Sequence, residues 1–224
     1  MAAMLPDLPQ TEIAIVEMTN AFRKENRLGD LKPNAALAAA ARGFAEYLAK
    51  SGKFAHEADG REPLNRAEAQ GYRSCLIAEN LAMNLDSRGF QSLQLAREAV
   101  EGWKASPGHR ANMLIAGITE IGVAVAQAPD KNPKFISVQV FGRPESLKVK
   151  FSVENRTGAP VRYTLGEKAH AVPGRSIITH TLCDQPPLAF ETAGQGARFE
   201  LRDGDRFTAR AGTGGVIEVV RQPK

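Results

Sequence analysis

The sequence predicts an α+β protein, with a mixed helical and sheet-containing first part followed by a small all-β part. Between residues 12 and 104, apolar side chains recur at helical spacing. Residues 121–126 and 135–141 instead read as strands, joined by a polar loop that contains two prolines. Beyond residue 144 the helical pattern is gone and only short apolar runs remain. Because helices come first and strands last, we expect the first part to contain an antiparallel sheet.

Four helices are predicted in the first part. The first covers residues 12–25, and the second follows Asn34, a residue type that favours helix N-caps. A short helix is predicted over residues 63–70 and a longer one over residues 90–104. Pro107-Gly108 prevents the last helix from continuing, because proline lacks the backbone N–H and clashes with the preceding turn.

A domain boundary is predicted at Gly142-Arg143-Pro144. The sequence then divides into an N-terminal extension over residues 1–9, a first domain over 10–143 and a second domain over 146–224. In the second domain Gly, Pro and Asn punctuate strand-like runs, which is typical of a small antiparallel sandwich. The predicted strands are residues 149–153, 161–165, 177–182, 188–191, 199–201, 207–209 and 216–220. A domain of about 75 residues has a marginal core of its own.

The composition is that of a folded protein without a membrane span. Apolar residues make up 43% of the 224-residue chain, which is too many for a disordered protein. No stretch reaches the roughly 18 consecutive apolar residues of a membrane helix. The N-terminus as written lacks the basic start and apolar core of a signal peptide, and residues 6–10 read like the loose beginning of a mature secreted domain.

The net charge is +4, and its excess falls in residues 146–224. Arginines recur there at even spacing, which in a strand places side chains on one face: Arg198, Arg202, Arg206 and Arg210. A solvated outer face is the favoured interpretation, and a weak contact surface for cell-wall polymer or lipid headgroups is the alternative. No nucleic-acid partner is expected. The spacing of Cys75 and Cys183 leaves open whether they pair.

Three short segments carry the residues most suited to a functional site. Ser106-Pro107-Gly108-His109 follows the helix that contains the chain's only tryptophan, and we expect it to stop that helix with a histidine at the stop. Phe54-Ala55-His56 supplies a second imidazole, and Ala78-Glu79-Asn80 supplies a carboxylate. Each of these groups is predicted to lie beside a helix end or a turn. Ser106 itself is expected to cap the helix rather than to act as a nucleophile.

In their order along the chain, these segments belong to a larger set. The set is Asn20-Ala21-Phe22-Arg23, Phe54-Ala55-His56, Ala78-Glu79-Asn80-Leu81-Ala82, Gly102-Trp103, Ser106-Pro107-Gly108-His109-Arg110-Ala111-Asn112-Met113-Leu114 and Ile121-Gly122-Val123-Ala124. With it, residues 10–143 resemble the CAP superfamily of cysteine-rich secretory proteins, antigen 5 and pathogenesis-related class-1 proteins. The likeness is greatest to the bacterial secreted, SCP-like branch. It implies an α-β-α sandwich with a central cleft, lined by two histidines and acidic residues, where some members bind zinc or another divalent cation.

Carried to this sequence, the resemblance assigns the cleft to His56, Glu79 and His109. Many eukaryotic members have a second glutamate at the position that Ser106 occupies here, so the expected set is incomplete. Two acidic residues on the preceding helix are candidates to compensate: Glu98 and Glu101.

Two imidazoles and a carboxylate form a reasonable ligand set for zinc or another divalent transition metal, with a fourth position left for water. Mg²⁺ and Ca²⁺ would be poor occupants because they prefer oxygen ligands. The same residues are also suited to metal-free acid–base catalysis or to a structural polar network. These three interpretations stay open at the level of the sequence.

Three functions are therefore expected as alternatives. The first is a secreted or periplasmic, non-enzymatic protein whose cleft binds a divalent metal, a lipid, a cell-wall glycan or a protein, with the β domain as an accessory interaction surface. The second is a metal-dependent hydrolase of peptides or cell-wall fragments that uses His56, Glu79 and His109. The third is a structural or interaction protein with an idle cleft. His170 and His180, in the β domain, are expected to be ordinary surface or strand residues.

Overall fold

The computed structural model describes residues 3–191 and 198–222. The chain divides into two compact units, Met1–Glu145 and Ser146–Lys224, each of which has its own core. A short 3-10 turn, Glu145–Leu147, covers the point of division.

From residue 3 onward, where the structure describes it, the first unit has five helices. They are α1 (Leu8–Glu25), α2 (Ala35–Ser51), α3 (Pro63–Ala69), α4 (Ser92–Ala105) and α5 (Pro107–Met113). The predicted cap of α2 is confirmed, because the Asn34 side chain accepts hydrogen bonds from the backbone N–H groups of Ala36 and Leu37. The helix ends at Gly52, whose φ of 70° is the left-handed conformation that glycine adopts without strain.

Helix α1 begins earlier than predicted. Asp7 caps it by accepting a hydrogen bond from the Gln10 backbone N–H, so the helix starts at Leu8 rather than near residue 12. Met4, ahead of the helix, forms an isolated parallel bridge with Gly89. The first residues of the described chain are thus part of the first unit.

The sheet of the first unit has four strands. They are β1 (Lys32–Pro33), β2 (Ser74–Leu85), β3 (Glu120–Ala128) and β4 (Lys134–Pro144), in the order β1-β3-β4-β2. The predicted strands at residues 121–126 and 135–141 are confirmed as the centres of β3 and β4. Strand β2 was not predicted, although its pairing with β4 runs from Ser74 to Leu85.

Both faces of this sheet are covered by helices. Val123 and Val125 of β3 belong to a core cluster with α1 and α4, whereas Ala124 and Ala126 belong to a second cluster with α2. Successive residues of a strand point to opposite faces, so each helical layer packs on its own set of sheet residues. The predicted α+β class and the α-β-α sandwich are confirmed.

The outer edge of β3 is closed by side chains where β1 does not reach. Strand β1 pairs only with Glu120 and Ile121. Further along, the Glu12 carboxylate accepts a hydrogen bond from the Val125 backbone N–H, and Arg42 donates one to the Val125 carbonyl. Arg42 and Glu12 also form an ion pair with each other. The two backbone groups of Val125 are therefore occupied.

The described part of the second unit, residues 146–191 and 198–222, forms two four-stranded sheets. Its strands are β5 (Val149–Asn155), β6 (Val161–Leu165), β7 (Lys168–Val172), β8 (Ser176–Leu182), β9 (Leu188–Phe190), β10 (Arg198–Phe199), β11 (Arg206–Ala211) and β12 (Ile217–Gln222). A second 3-10 turn covers Thr213–Gly215. One sheet has the order β10-β9-β6-β7 and the other β12-β11-β5-β8. Alternate residues of β5 are buried in the shared core, as a two-layer β structure requires.

Two details of the second unit differ from the prediction. Strands β5 and β11 pair in parallel, so the arrangement is not purely antiparallel. The four regularly spaced arginines do not form one row, because Arg198 lies in β10 of one sheet while Arg206 and Arg210 lie in β11 of the other. The even spacing predicted one shared face, and this prediction is wrong because the chain passes from one sheet to the other between these arginines.

Neither cysteine is a free thiol, and both Cys75 and Cys183 are disulfide-bonded. Within the described ranges, no helix combines the length and the apolar character needed to cross a bilayer.

Candidate functional site

His56 lies in the turn that follows α2 and has half of its side chain, 49%, exposed. The hydroxyl of Tyr47 on α2 donates a hydrogen bond to the Ala58 carbonyl and holds this turn against the helix. The Nδ1 atom of His56 lies 2.8 Å from Oε1 of Glu79. One imidazole nitrogen is thus committed to a carboxylate, while the exposed part of the ring faces solvent.

Glu79 lies in the middle of β2, paired with Val140 of β4. The prediction that it sits beside a helix end or a turn is therefore wrong. Its side chain is 1% exposed, and both of its oxygens accept hydrogen bonds from Nη2 of Arg66, at 3.0 and 2.9 Å. A carboxylate this deeply buried stays charged only if it is paired, and Arg66 supplies the pairing charge.

Arg66 is the central residue that the sequence did not reveal. It lies on α3 and is 4% exposed, with its guanidinium 3.5 Å from the ring centroid of Phe44. It also donates hydrogen bonds to the Asp59 carboxylate and to the His56 carbonyl. A cluster of charged residues around Asp59-Gly60 was visible in the sequence, but such a cluster is equally typical of a solvated turn.

His109 lies within α5, so Pro107-Gly108 ends one helix and begins another instead of leaving the histidine at a stop. The amide of Asn80 donates a hydrogen bond to the His109 carbonyl. Asn112 donates to the Glu79 carbonyl and to Oδ1 of Asn80. These amides fix α5, and with it His109, on the strand that carries Glu79.

Behind the cleft the amide contacts continue into the core. Asn80 also donates to Oε1 of Gln139 on β4, and Gln139 donates to the Thr19 hydroxyl on α1. All three side chains are fully buried. Each buried polar group here has a partner, so the network positions the cleft residues without leaving unsatisfied donors among them.

The two histidines have opposite electrostatic environments. The hydrogen bond that His56 donates to the Glu79 carboxylate raises the pKa of His56 above its ordinary value, by more than partial burial lowers it. Burial lowers the pKa of His109, and the charge of nearby His56 lowers it further. His56 therefore keeps its proton to higher pH than a free imidazole, while His109 is neutral at pH values where a free imidazole is partly charged.

The resemblance to the CAP superfamily implies a divalent metal in the cleft. In this chain the two imidazoles are suited to bind such an ion, whereas the Glu79 carboxylate is not. Within residues 3–191 and 198–222, no group of three His, Cys, Asp or Glu side chains is placed to hold a metal ion. Glu79 already gives both oxygens to Arg66 and His56. Since Nδ1 of His56 is bound to Glu79, its Nε2 atom and the neutral His109 ring are the donors that suit zinc.

The other residues considered from the sequence lie outside this cluster. Ser106 stands between α4 and α5 and is the C-cap of α4, which confirms its expected place at the end of that helix. Its backbone N–H donates a hydrogen bond to the Trp103 carbonyl, while its hydroxyl makes no capping hydrogen bond to α5. Glu98 accepts hydrogen bonds from Asn84 and Gln94, and Glu101 from Lys104. Neither glutamate compensates for the one that Ser106 replaces.

The sequence model of the cysteine-rich secretory protein family, CAP, matches residues 16–141. Among solved structures, the chain is similar to an outer surface protein from Borrelia burgdorferi, at 21% identity and a TM-score of 0.50, over 60% of this chain and 93% of that one. It is similar to an extracellular protein containing a SCP domain from Bacillus anthracis, at 26% identity and a TM-score of 0.50, over 61% of this chain. That match spans only 41% of the Bacillus chain.

No curated protein matches the chain. The family match ends before the second unit begins, so it concerns the α-β-α sandwich and its cleft. Because this match covers more than half of the chain and the fold of the first unit agrees with it, the chain belongs to the CAP family of cysteine-rich secretory proteins.

Proposed function

We propose that this protein binds a divalent transition metal, with Zn²⁺ as the first candidate, between His56 and His109 in its cleft. The observation that supports this most is the hydrogen bond between His56 Nδ1 and the buried Glu79 carboxylate. Histidines that ligate metals commonly give their second nitrogen to a carboxylate, which fixes the ring and makes the ligating nitrogen more basic. Glu79 thus orients a ligand and is not itself one.

The low pKa of His109 supports the same role. A metal-ligating imidazole must be neutral, and burial favours this form of His109 because it lowers the pKa of the ring. Two protein ligands leave the remaining positions to water, so the site is open and weaker than a closed structural zinc site. In a non-enzymatic protein, such an open position would accept a donor atom from a ligand in the cleft.

Calorimetric titration with Zn²⁺ tests the proposal. His56→Ala and His109→Ala should each abolish binding in the cleft, and Glu79→Gln should weaken it by about 10–100-fold, since it removes only the orienting carboxylate. Glu57→Gln is the matched control, because Glu57 is an exposed neighbour of His56 and its replacement removes the same charge. If His56→Ala leaves the number of Zn²⁺ ions bound unchanged, the cleft is not the site.

The opposed pKa shifts favour hydrolysis as a second candidate function. At one pH, a protonated His56 can act as the general acid and a neutral His109 as the general base. Pairs of catalytic groups commonly divide the two roles in this way, because their environments shift their pKa values apart. Peptides or cell-wall fragments are the substrates to try. Activity that survives a chelator but is lost in both histidine variants would support this candidate, whereas activity unchanged in His109→Ala would remove it.

We also propose that the protein works outside the reducing cytoplasm. Both cysteines are disulfide-bonded, and disulfides persist mainly in secreted and periplasmic proteins. Protein recovered from the extracellular or periplasmic fraction should gain the mass of two hydrogens on reduction. Recovery only from the cytoplasm, with two free thiols, would contradict this location. The second unit would then serve as an accessory surface facing cell-wall glycan, lipid or another protein.

A further inference from the structure

The second unit carries its own pair of histidines at one side of its two sheets. Strands β7 and β8 are consecutive in the chain, and each is the edge strand of a different sheet. His170 on β7 lies directly opposite Tyr163, and His180 on β8 lies directly opposite Phe151. Tyr163 and Phe151 are buried core residues. The two imidazoles therefore extend the aromatic core towards the solvent between the edge strands.

The positions of both rings are fixed by this core. The His170 ring stacks on Tyr163, with ring centroids 5.5 Å apart, and the His180 ring stacks on Phe151 at 4.9 Å. Nε2 of His180 lies 2.8 Å from the Tyr163 hydroxyl oxygen. The centroids of the two imidazoles are 5.2 Å apart. We call His170 and His180 the sandwich pair, and His56 and His109 the cleft pair.

This separation suits a shared tetrahedral metal. A zinc–nitrogen bond is about 2.0–2.1 Å, and the imidazole centroid lies roughly 1.1 Å beyond the nitrogen. Two imidazoles on one tetrahedral ion therefore have centroids about 5.2 Å apart, whereas a right angle at the ion would bring them to about 4.5 Å. The observed 5.2 Å, with the two ring planes inclined at 78°, is compatible with two imidazoles on one tetrahedral Zn²⁺ ion.

We propose that the sandwich pair forms a second transition-metal site, in which one Zn²⁺ is held by His170, His180 and water. The ion would join the edge strands of the two sheets. This inference does not rest on the proposed metal in the cleft, because it involves a different unit and different residues.

Tyr163 gives this site the orienting contact that Glu79 gives in the cleft. When the His180 Nε2–H donates its hydrogen to the tyrosine oxygen, the lone pair of Nδ1 is free for the metal. Both histidines are half-buried, which leaves room for water on the open side of the ion.

The chain has only four histidines, so a complete set of variants separates the two sites. The first variant replaces the cleft pair by alanine, the second replaces the sandwich pair by glutamine, and the third combines both changes. Glutamine keeps a polar group opposite the Tyr163 hydroxyl. Each full-length variant is titrated with Zn²⁺ by calorimetry, and circular dichroism in the absence of metal confirms that it is folded. Thr179→Ala on the exposed face of β8 is the matched control.

The cleft-pair variant should still bind one Zn²⁺, and the combined variant should bind none with comparable affinity. When His170→Gln alone is added to the cleft-pair variant, the affinity of that variant for Zn²⁺ should fall at least tenfold. This measurement keeps the test valid if changes at His180 disturb folding. The inference is overturned if the cleft-pair variant binds no Zn²⁺, or if His170→Gln leaves its affinity unchanged. If the sandwich-pair variant binds no Zn²⁺ while the cleft-pair variant binds one, the proposed metal site in the cleft is refuted and the proposed site at the sandwich pair is supported.

Discussion

Replacement of Arg66 by methionine should destabilise the first unit more than any surface change nearby. Methionine keeps the apolar length of the side chain over Phe44 but removes every guanidinium hydrogen bond. The Glu79 carboxylate, 1% exposed, and the Asp59 carboxylate, 5% exposed, then lose their buried positive partner. Among the described residues, His56 is then the remaining side-chain partner of the Glu79 carboxylate.

The expected cost follows from this burial. Removing one partner of a buried ion pair costs about 3–5 kcal/mol, because the other charge is left without compensation. Whole proteins are stable by only about 5–15 kcal/mol, so the loss is a large share of the total. Adding Glu79→Gln to Arg66→Met removes one of the orphaned charges. The double variant should therefore be less destabilised than the sum of the single changes, by about 0.5–3 kcal/mol.

Urea unfolding monitored by tryptophan fluorescence measures these costs. Trp103 is the only tryptophan of the chain and is 1% exposed in the core of the first unit, so its emission reports on that unit. Arg61→Met is the control, because Arg61 pairs with the same Asp59 from an exposed position and should change stability by no more than about 1 kcal/mol. An Arg66→Met loss below about 1 kcal/mol, or strict additivity in the double variant, would refute the reasoning.

Three further outcomes are expected. In an NMR titration the pKa of His56 should lie above the ordinary value for histidine and that of His109 below it. Glu79→Gln should lower the pKa of His56. Titration of both histidines at the same pH would contradict this reasoning. Because its folded pKa is raised, the stabilising contribution of His56 is complete below its unfolded pKa and is lost as pH rises through the folded pKa. Gly122→Ala should cost about 1–3 kcal/mol or more in urea unfolding, since its Cβ would lie 2.2 Å from the backbone of α2; an unchanged midpoint would show that the helix yields freely. Asn34→Ala should cost about 1 kcal/mol by losing the cap of α2, and Asn34→Ser should restore most of it.

Local patterns were sufficient for most of the helical layers. Asn34 and the apolar stripe behind it specify α2 from short-range information, because a cap and a helical face both depend on residues a few positions apart. The same holds for β3 and β4, whose apolar runs are long and bounded by prolines. These elements are decided locally, so they can be recognised without knowledge of their partners.

Strand β2 and the interior of the cleft depend on distant partners. The polar pair Glu79-Asn80 reads as a turn in the sequence, yet it forms the buried centre of the strand. It can do so only because Arg66 neutralises the carboxylate and Asn112 bonds the amide. Neither partner is marked by spacing or periodicity. The sequence could therefore identify His56, Glu79 and His109 as candidates, but not the charge balance that determines what each of them can do.

The contacts at Val125 also bear on how the protein behaves at high concentration. An exposed strand edge offers free N–H and C=O groups to a strand of another molecule, which is a common first step in aggregation. At Val125 both groups are already bound by Glu12 and Arg42. A strand from a second molecule would first have to displace two charged side chains that are paired with each other. This part of the sheet is thereby protected against edge-to-edge association without the chain needing another strand to cover it.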